Sequence, residues 1–359
     1  MASIVLAGGG TAGHIEPALA VARVWQSEHP EDRIVFLGTK HGLENTLVPA
    51  AGFTLKNIEK VSISRRPSIS WFVIPKNLLT SIKECTKILK GSDLLIGFGG
   101  YVSAPAYIAA KISGVAIVIH EANAKPGWAN RLGALFTPHL AVANQVESGA
   151  FQKALITGLP LRSDVANALT EAEKDWALAR KEAKARLGFD PDKPLIFVMG
   201  GSQGSAAINA VIAQALPAFA ARNISILHSV GQQNVLPEAT DSYRPVAYVH
   251  DMADAYLASD LIIARSGAVT CSEFRALGRY AVFVPLPIGN GEQFHNAQSL
   301  VSDARAQIVI QQSFTPEFLA SSIDSLLLAA SQAPIAGSHI DAQAGQKIAS
   351  LGAHALEVG

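Results

Sequence analysis

The sequence predicts an α/β protein built from two doubly wound, Rossmann-like domains, and three observations carry that prediction. Short β-branched runs alternate with longer helical stretches from end to end, the pattern of parallel sheets wrapped by helices. The segments "SIVLAGGGTAGH" and "LIFVMGGSQGSA" repeat one design, an apolar strand, a glycine-rich turn with hydroxyls and then a helix, more than half the chain apart. One sheet rarely needs two such starts, whereas two domains each begin with one. Between them, "ITGLPLRSDVANALTEAEKDWALARKEAKARLG" opens on Gly and Pro and continues as a charged, alanine-rich helix. A hinge near Gly158–Arg162 is therefore expected. It gives a first domain over 1–158 and a second over 159–340, with the last helical segment, 341–359, folding back on the first.

In chain order, the first-half strands are Ile4–Ala7, Ile34–Leu37, Leu94–Gly97, Ala116–Ile119 and Leu140–Ala143, with helices such as Pro17–Ser27 and Ala104–Ile112 between them. Each strand is a short apolar run rich in Val, Ile and Leu, as strands buried on both faces require. The second half offers Leu195–Met199, Ser225–His228, Ala247–Val249, Leu261–Ala264, Ala281–Val284 and Ala306–Ile310.

With 359 residues, 49% of them hydrophobic, the chain can bury two ordinary α/β cores. Lys and Arg together balance Asp and Glu at 29 each, so no global field draws nucleic acid. The two cysteines, Cys85 and Cys271, fall in helix-like stretches and suit a reducing compartment. The N-terminus enters a strand almost at once, with no signal-peptide pattern ahead of it. No apolar run reaches the roughly 18–20 residues that span a bilayer. A cytoplasmic protein that can still touch a membrane surface is expected.

Glycines after a strand let backbone approach a ligand, and the helix that follows offers free N–H groups and a positive dipole end to an anion. Gly8, Gly10 and Gly13 formally satisfy G-x-G-x-x-G, but a dinucleotide site also wants an acid after the second strand, and "FLGTKHG" supplies none. No G-x-x-x-x-G-K-[ST] occurs, which removes a P-loop. A third cluster, "GFGGYVSAP" (Gly97–Pro105), again ends a strand. Glycine clusters at strand carboxyl ends converge where open α/β sheets bind ligands. In "ARSGAVTCSEF" (Ala264–Phe274), Ser266 and Gly267 form a turn and Glu273 follows Thr270 by three residues, so the segment suits either a nucleotide diphosphate with its ribose diol or a simple capping box.

The motifs "GGGTAGHIEPALAVA", "GFGGYVSAPAYIAA", "IHEANAKPGWANR", "TGLPLR", "GGSQGSAAIN", "DMADAY", "ARSGAVTCSE" and "PLPIGNGEQFHNA" stand in the order seen in the MurG family of bacterial glycosyltransferases, which the chain resembles over nearly its whole length. That resemblance implies a GT-B fold, two Rossmann-like domains facing across a deep cleft. It implies inverting, metal-independent transfer of N-acetylglucosamine from UDP-GlcNAc to the 4-hydroxyl of MurNAc in lipid I, giving lipid II for peptidoglycan synthesis, with no cofactor. Carried over by motif, the donor site comprises Thr11, Ala12, Gly13, Asn123, Arg162, Ser202, Gln203, Val249, Ala268, Val269, Thr270, Glu273 and Gln293. Of these, Asn123 and Gln293 would meet the sugar hydroxyls, Val249 the uracil through its backbone, and Glu273 the ribose. Gly10, Gly99, Gly100 and Tyr101 would meet the acceptor. Ala12 stands where many relatives have glycine, and "HEAN" replaces a commoner Glu-Gln-Asn, which loosens the individual contacts there.

For the base that deprotonates the acceptor hydroxyl, His14 and Glu121 are the candidates. His14 has the suitable unperturbed pKa and lies at the loop edge. The pair "DPD" at Asp190–Asp192 precedes a strand and suits a turn better than a metal site. "RRPSISWFVIPKNLLTSIKECTKILK" (Arg65–Lys90) joins apolar residues to flanking cations, so Trp71, Phe72, Ile74, Leu78 and Leu79 are the expected contacts with an anionic membrane. An ordinary amphipathic helix with its apolar side in the core fits the same pattern. The implied partners are UDP-GlcNAc, undecaprenyl-linked lipid I, the cytoplasmic face of the cell membrane and other cell-wall synthesis proteins, and no nucleic acid. The alternatives are another GT-B glycosyltransferase, an NAD(P)-dependent oxidoreductase motivated by G-x-G-x-x-G, and a nucleotide-sugar-binding regulatory protein on the same fold.

Overall fold

The structure is a computed structural model that describes residues 1–40, 42–60, 74–201, 203–287 and 291–358. The chain divides into two compact units, Met1–Arg162 together with Ile340–Gly359, and Ser163–His339.

The first unit runs β1 (Ser3–Gly8), α1 (Ala12–Glu28), β2 (Arg33–Thr39), α2 (Glu44–Ala50), β3 (Thr54–Ile58), α3 (Ile74–Leu89), β4 (Leu94–Gly99), α4 (Ser103–Ser113), β5 (Ala116–Glu121), α5 (Trp128–Gly133), β6 (Leu140–Val142) and β7 (Leu155–Ile156). Its strands are parallel in the order β3-β2-β1-β4-β5-β6-β7. The order reverses between β1 and β4, so the loops after these two strands open at the switch point where such sheets take ligands. Period-two alternation splits β1 between two cores. Ile4 and Leu6 pack with Ile15, Leu19 and Trp25 of α1 on one face, whereas Val5 and Ala7 pack with Cys85, Leu89, Ala106 and Tyr107 on the other.

The second unit runs α6 (Ser163–Ala172), α7 (Trp176–Arg186), β8 (Leu195–Met199), α8 (Ala206–Ala220), β9 (Ser225–Ser229), β10 (Tyr243–Val246), α9 (Met252–Ala258), β11 (Leu261–Ala264), α10 (Ala268–Ala276), β12 (Ala281–Phe283), α11 (Glu292–Ser302), β13 (Ala306–Ile308) and α12 (Pro316–Gln332). Its parallel sheet has the same plan, β10-β9-β8-β11-β12-β13, with the reversal between β8 and β11. The chain then returns to the first unit as α13 (Ala344–Glu357), whose Ile348, Ala349 and Ala355 join the core formed by α1 and the sheet.

Two sequence expectations are corrected. The strand expected at Ala247–Val249 lies earlier, at Tyr243–Val246, where it pairs with Ile226–Ser229. Burial of Tyr243 and Pro245 on alternate positions sets that register. The first helix begins at Ala12 rather than Pro17, because Pro17 is accommodated inside α1. Among the described residues no helix is long and apolar enough to cross a membrane.

Candidate active site

In the first unit the loops after β1 and β4 lie against each other. Gly10, Gly99 and Gly100 all have positive φ. At Gly100 glycine is also required by space, since a Cβ would stand 2.5 Å from the Gly9 carbonyl oxygen. His14, in the first turn of α1, packs beside Gly99 and Gly100, and a Cβ at Gly99 would meet its Cδ2 and Nε2 at 3.2 and 3.3 Å. Its backbone N–H donates to the Thr11 carbonyl at 3.1 Å, and Thr11 Oγ1 lies 3.1 Å from its Nδ1. The ring is half-buried, and desolvation lowers its pKa below 6.5. Tyr101, 45% exposed, sits under Lys60, whose Nζ lies 5.1 Å from the ring centroid. Thr11 is exposed, and Ala12 and Gly13 are half-buried.

Glu121, at the end of β5, is turned inward and only 2% exposed. Oε1 accepts from Asn123 N at 2.9 Å and Asn123 Nδ2 at 3.1 Å, and Oε2 accepts from Gly127 N at 2.8 Å and Asn130 Nδ2 at 3.0 Å. Burial raises its pKa, and these four bonds pull it back. Asn130 is itself oriented by the buried Tyr107 hydroxyl, which donates to its Oδ1 at 2.8 Å. Two donors on each oxygen make this carboxylate the organiser of the "HEANAKPG" turn. His120 beside it is buried, its Nε2 is 2.9 Å from the Gly158 carbonyl, and burial lowers its pKa to about 4.

In the second unit the loop after β8 includes Gly201 and Gly204, both at positive φ, and leads to Ser205, whose hydroxyl caps α8 by accepting from Ile208 N. Gln203 is exposed, while its carbonyl accepts from Asn234 Nδ2 at 3.1 Å. After β11, the buried Arg265 donates to Ser205 Oγ at 2.9 Å, to Gln311 Oε1 at 2.7 Å and to the Val284 and Pro285 carbonyls at 2.8 and 3.1 Å. One guanidinium thus joins the two loops at the switch point. Ala268, Val269 and Thr270 form the half-buried first turn of α10. Glu273, the expected ribose ligand, is 2% exposed and accepts from Tyr256 Oη at 2.8 Å. Gln293 Oε1 accepts from Leu286 N at 3.0 Å, Val249 is buried, and Asn123 and Arg162 are half-buried.

Ser202, Trp71 and Phe72 lie outside the described residues, as does the side chain of Ile74. Of the other expected membrane contacts, Leu79 is 59% exposed and Leu78 half-buried, while Ser81, Cys85 and Leu89 of the same helix face the core. Among the described residues no group of three or more His, Cys, Asp or Glu side chains is arranged to hold a metal ion. A groove of about 640 Å³ lies away from the glycine loops, among α6, α7 and α9. Several of its carboxylates are answered internally, Asp254 by Arg186, Glu171 by Lys174 and Asp175 by the Leu178 amide.

Sequence reading missed Glu44 and Arg265. The acid sought after the second strand exists, but it arrives at Glu44, beyond "FLGTKHG", and is buried against the first glycine loop. Arg265 was in view within "ARSG", yet its partners Ser205, Val284, Pro285 and Gln311 come from distant segments and leave no local signal.

Residues 4–142 match the glycosyltransferase family 28 N-terminal domain, and residues 195–351 match the glycosyltransferase family 28 C-terminal domain. The chain is 44% identical, over 89% of its length and 86% of the relative's, to a UDP-N-acetylglucosamine–N-acetylmuramyl-(pentapeptide) pyrophosphoryl-undecaprenol N-acetylglucosamine transferase of Corynebacterium diphtheriae. It is 43% identical to the transferase of that name from Streptomyces coelicolor, over 89% of this chain and 88% of that one. Among solved structures it is similar to MurG of Acinetobacter baumannii, with a TM-score of 0.72, 27% identity and coverage of 99% of this chain and 100% of that one.

Proposed function

The chain belongs to glycosyltransferase family 28, and on that premise we infer that it transfers N-acetylglucosamine from UDP-N-acetylglucosamine to undecaprenyl-pyrophosphoryl-MurNAc-pentapeptide, converting lipid I to lipid II. The observation that carries this reading is 44% identity over 89% of the chain to a transferase named for that reaction. The family also sets aside the oxidoreductase alternative.

The acceptor 4-hydroxyl oxygen attacks the anomeric carbon on the face opposite UDP. The bond from that carbon to the diphosphate oxygen breaks, and UDP leaves with the electron pair. His14 takes the hydroxyl proton. In the tautomer whose Nδ1–H donates to Thr11 Oγ1, the Nε2 lone pair is the basic site, and a desolvated ring keeps that lone pair available at neutral pH. Glu121 positions the turn that carries Asn123, because both its oxygens are already occupied. The donor's uracil, ribose and diphosphate are held by Val249, by Ala268–Glu273 and by the Gly200–Ser205 loop with Arg162. Helix N-termini and Arg162 meet the leaving group's charge without a metal ion. Asn123 and Gln293 read the sugar. Gly10, Gly99, Gly100 and Tyr101 border the acceptor. The enzyme works peripherally at the cytoplasmic face of the membrane, through the segment containing Trp71, Phe72, Ile74, Leu78 and Leu79, alongside other cell-wall synthesis proteins.

The test is incubation with UDP-N-acetylglucosamine and a lipid I analogue on anionic vesicles, with and without EDTA. A β-1,4-linked product formed equally in both, by protein that sediments with the vesicles, is expected. An α-linked product, EDTA-sensitive turnover or no vesicle binding would each remove the corresponding assignment.

A further inference from the structure

The carboxylate of Glu44 sits inside the first glycine loop, and we propose that it is a positioning residue for the transfer, fixing the Gly10–His14 turn so that the imidazole meets the acceptor hydroxyl. This rests on His14 serving as the base.

Glu44 opens α2 and is fully buried. Oε2 accepts from the Gly10 backbone N–H at 2.9 Å, while Oε1 accepts from Thr39 N at 2.8 Å and Thr39 Oγ1 at 3.1 Å. One side chain therefore ties the end of β2 to the loop after β1. Those strands are adjacent and parallel, with Leu6 opposite Phe36 and Ala7 opposite Leu37. Space for the carboxylate is built into the backbone. A Cβ at Gly38 would lie 2.5 Å from Glu44 Cγ, and one at Gly9 would lie 3.1 Å from Oε1.

A glycine loop after the first strand of a doubly wound sheet ordinarily offers its N–H groups to a phosphate. Here the Gly10 N–H is satisfied by an anion that belongs to the protein. The loop's shape is thus set before any ligand arrives, and the residues that follow Gly10 inherit it. Gly10 has φ +90°, Thr11 comes next, and the Thr11 carbonyl accepts the His14 N–H at 3.1 Å. Hydrogen bonds to a charged acceptor are about twice as strong as neutral ones, which suits a brace on a loop of glycines. Gly10 then borders the acceptor with its carbonyl and α-carbon, its N–H being committed.

The test compares the wild type with Glu44→Gln and Glu44→Asp, in the full chain, by steady-state transfer from UDP-N-acetylglucosamine to a lipid I analogue. Titration calorimetry with UDP-N-acetylglucosamine and circular dichroism accompany it. The amide keeps the shape but presents N–H to an N–H, and the shorter carboxylate reaches Thr39 at the expense of Gly10. Each folded variant is expected to lose about tenfold or more in kcat, the scale of one lost hydrogen bond to a charged group, with the dissociation constant for the donor within twofold of wild type. A folded variant with wild-type kcat and acceptor KM overturns the assignment, as does a parallel loss of donor affinity. Failure of both variants to fold assigns Glu44 to stability alone and also overturns it. No transfer by the wild type overturns instead the functional reading on which the assignment rests.

Discussion

The proposed role of His14 as the base rests on its surroundings as well as on its identity. Its ring is desolvated against Gly99 and Gly100, which pushes its pKa below 6.5. A base must be unprotonated to act, so a lowered pKa extends activity toward acid. The acid limb of kcat/KM against pH is therefore expected to have its midpoint below 6.5, and a midpoint above that value would remove His14 from the role. The sequence made both His14 and Glu121 visible as candidates, since each stands beside a strand end in a motif. Residue type and place in the loop already favour His14 there, but the four donors that converge on Glu121 from Asn123, Gly127 and Asn130 leave no local signal. Glu44 was illegible for a similar reason. Its partner Gly10 is brought to it only by the pairing of β1 with β2.

Among the elements, those with apolar runs were legible and those without were not. β1, β4, β5, β8 and β11 are buried along nearly their whole length and announce themselves in the sequence. β3 was overlooked because it is an edge strand, "TLKNI", with exposed polar positions, and β7 is a two-residue exposed strand. The return of α13 to the first unit depends on close approach. A Cβ at Gly352 would stand 2.7 Å from the Trp25 ring, and Asp341, just ahead of the helix, accepts the Leu159 N–H at 2.8 Å. Deleting residues 340–359 should expose the apolar side of α1 and the sheet and lower the first unit's unfolding transition, leaving the second unit's in place. Scanning calorimetry checks this, and a single transition unchanged by the deletion would show that α13 adds no stability.

At the scale of the molecule, the two units share a plan and also an acid weakness. Each buries a histidine at the carboxyl end of a strand, His120 in β5 and His228 in β9, and desolvation lowers both to about 4 from 6.5. His228 is held neutral between Tyr243 Oη and Asn209 Oδ1, both at 3.0 Å. Their folded-state pKa values are depressed, so the unfolded chain takes up protons first as the pH falls. Stability should be intact above pH 6.5 and drain away toward pH 4, by roughly 3 kcal/mol for each imidazole on linkage grounds. Urea denaturation across that range checks it, and a His228→Asn variant should lose less. The central claim, a family 28 transferase whose proton acceptor is His14, is tested most directly by one comparison. Wild type and His14→Ala are each given radiolabelled UDP-N-acetylglucosamine and a lipid I analogue, with donor affinity measured in parallel. Label should enter the lipid with wild type, and His14→Ala should bind the donor equally but transfer roughly 10²–10⁴-fold more slowly. Wild type that binds the donor without transferring it, or His14→Ala with full turnover, would contradict the account.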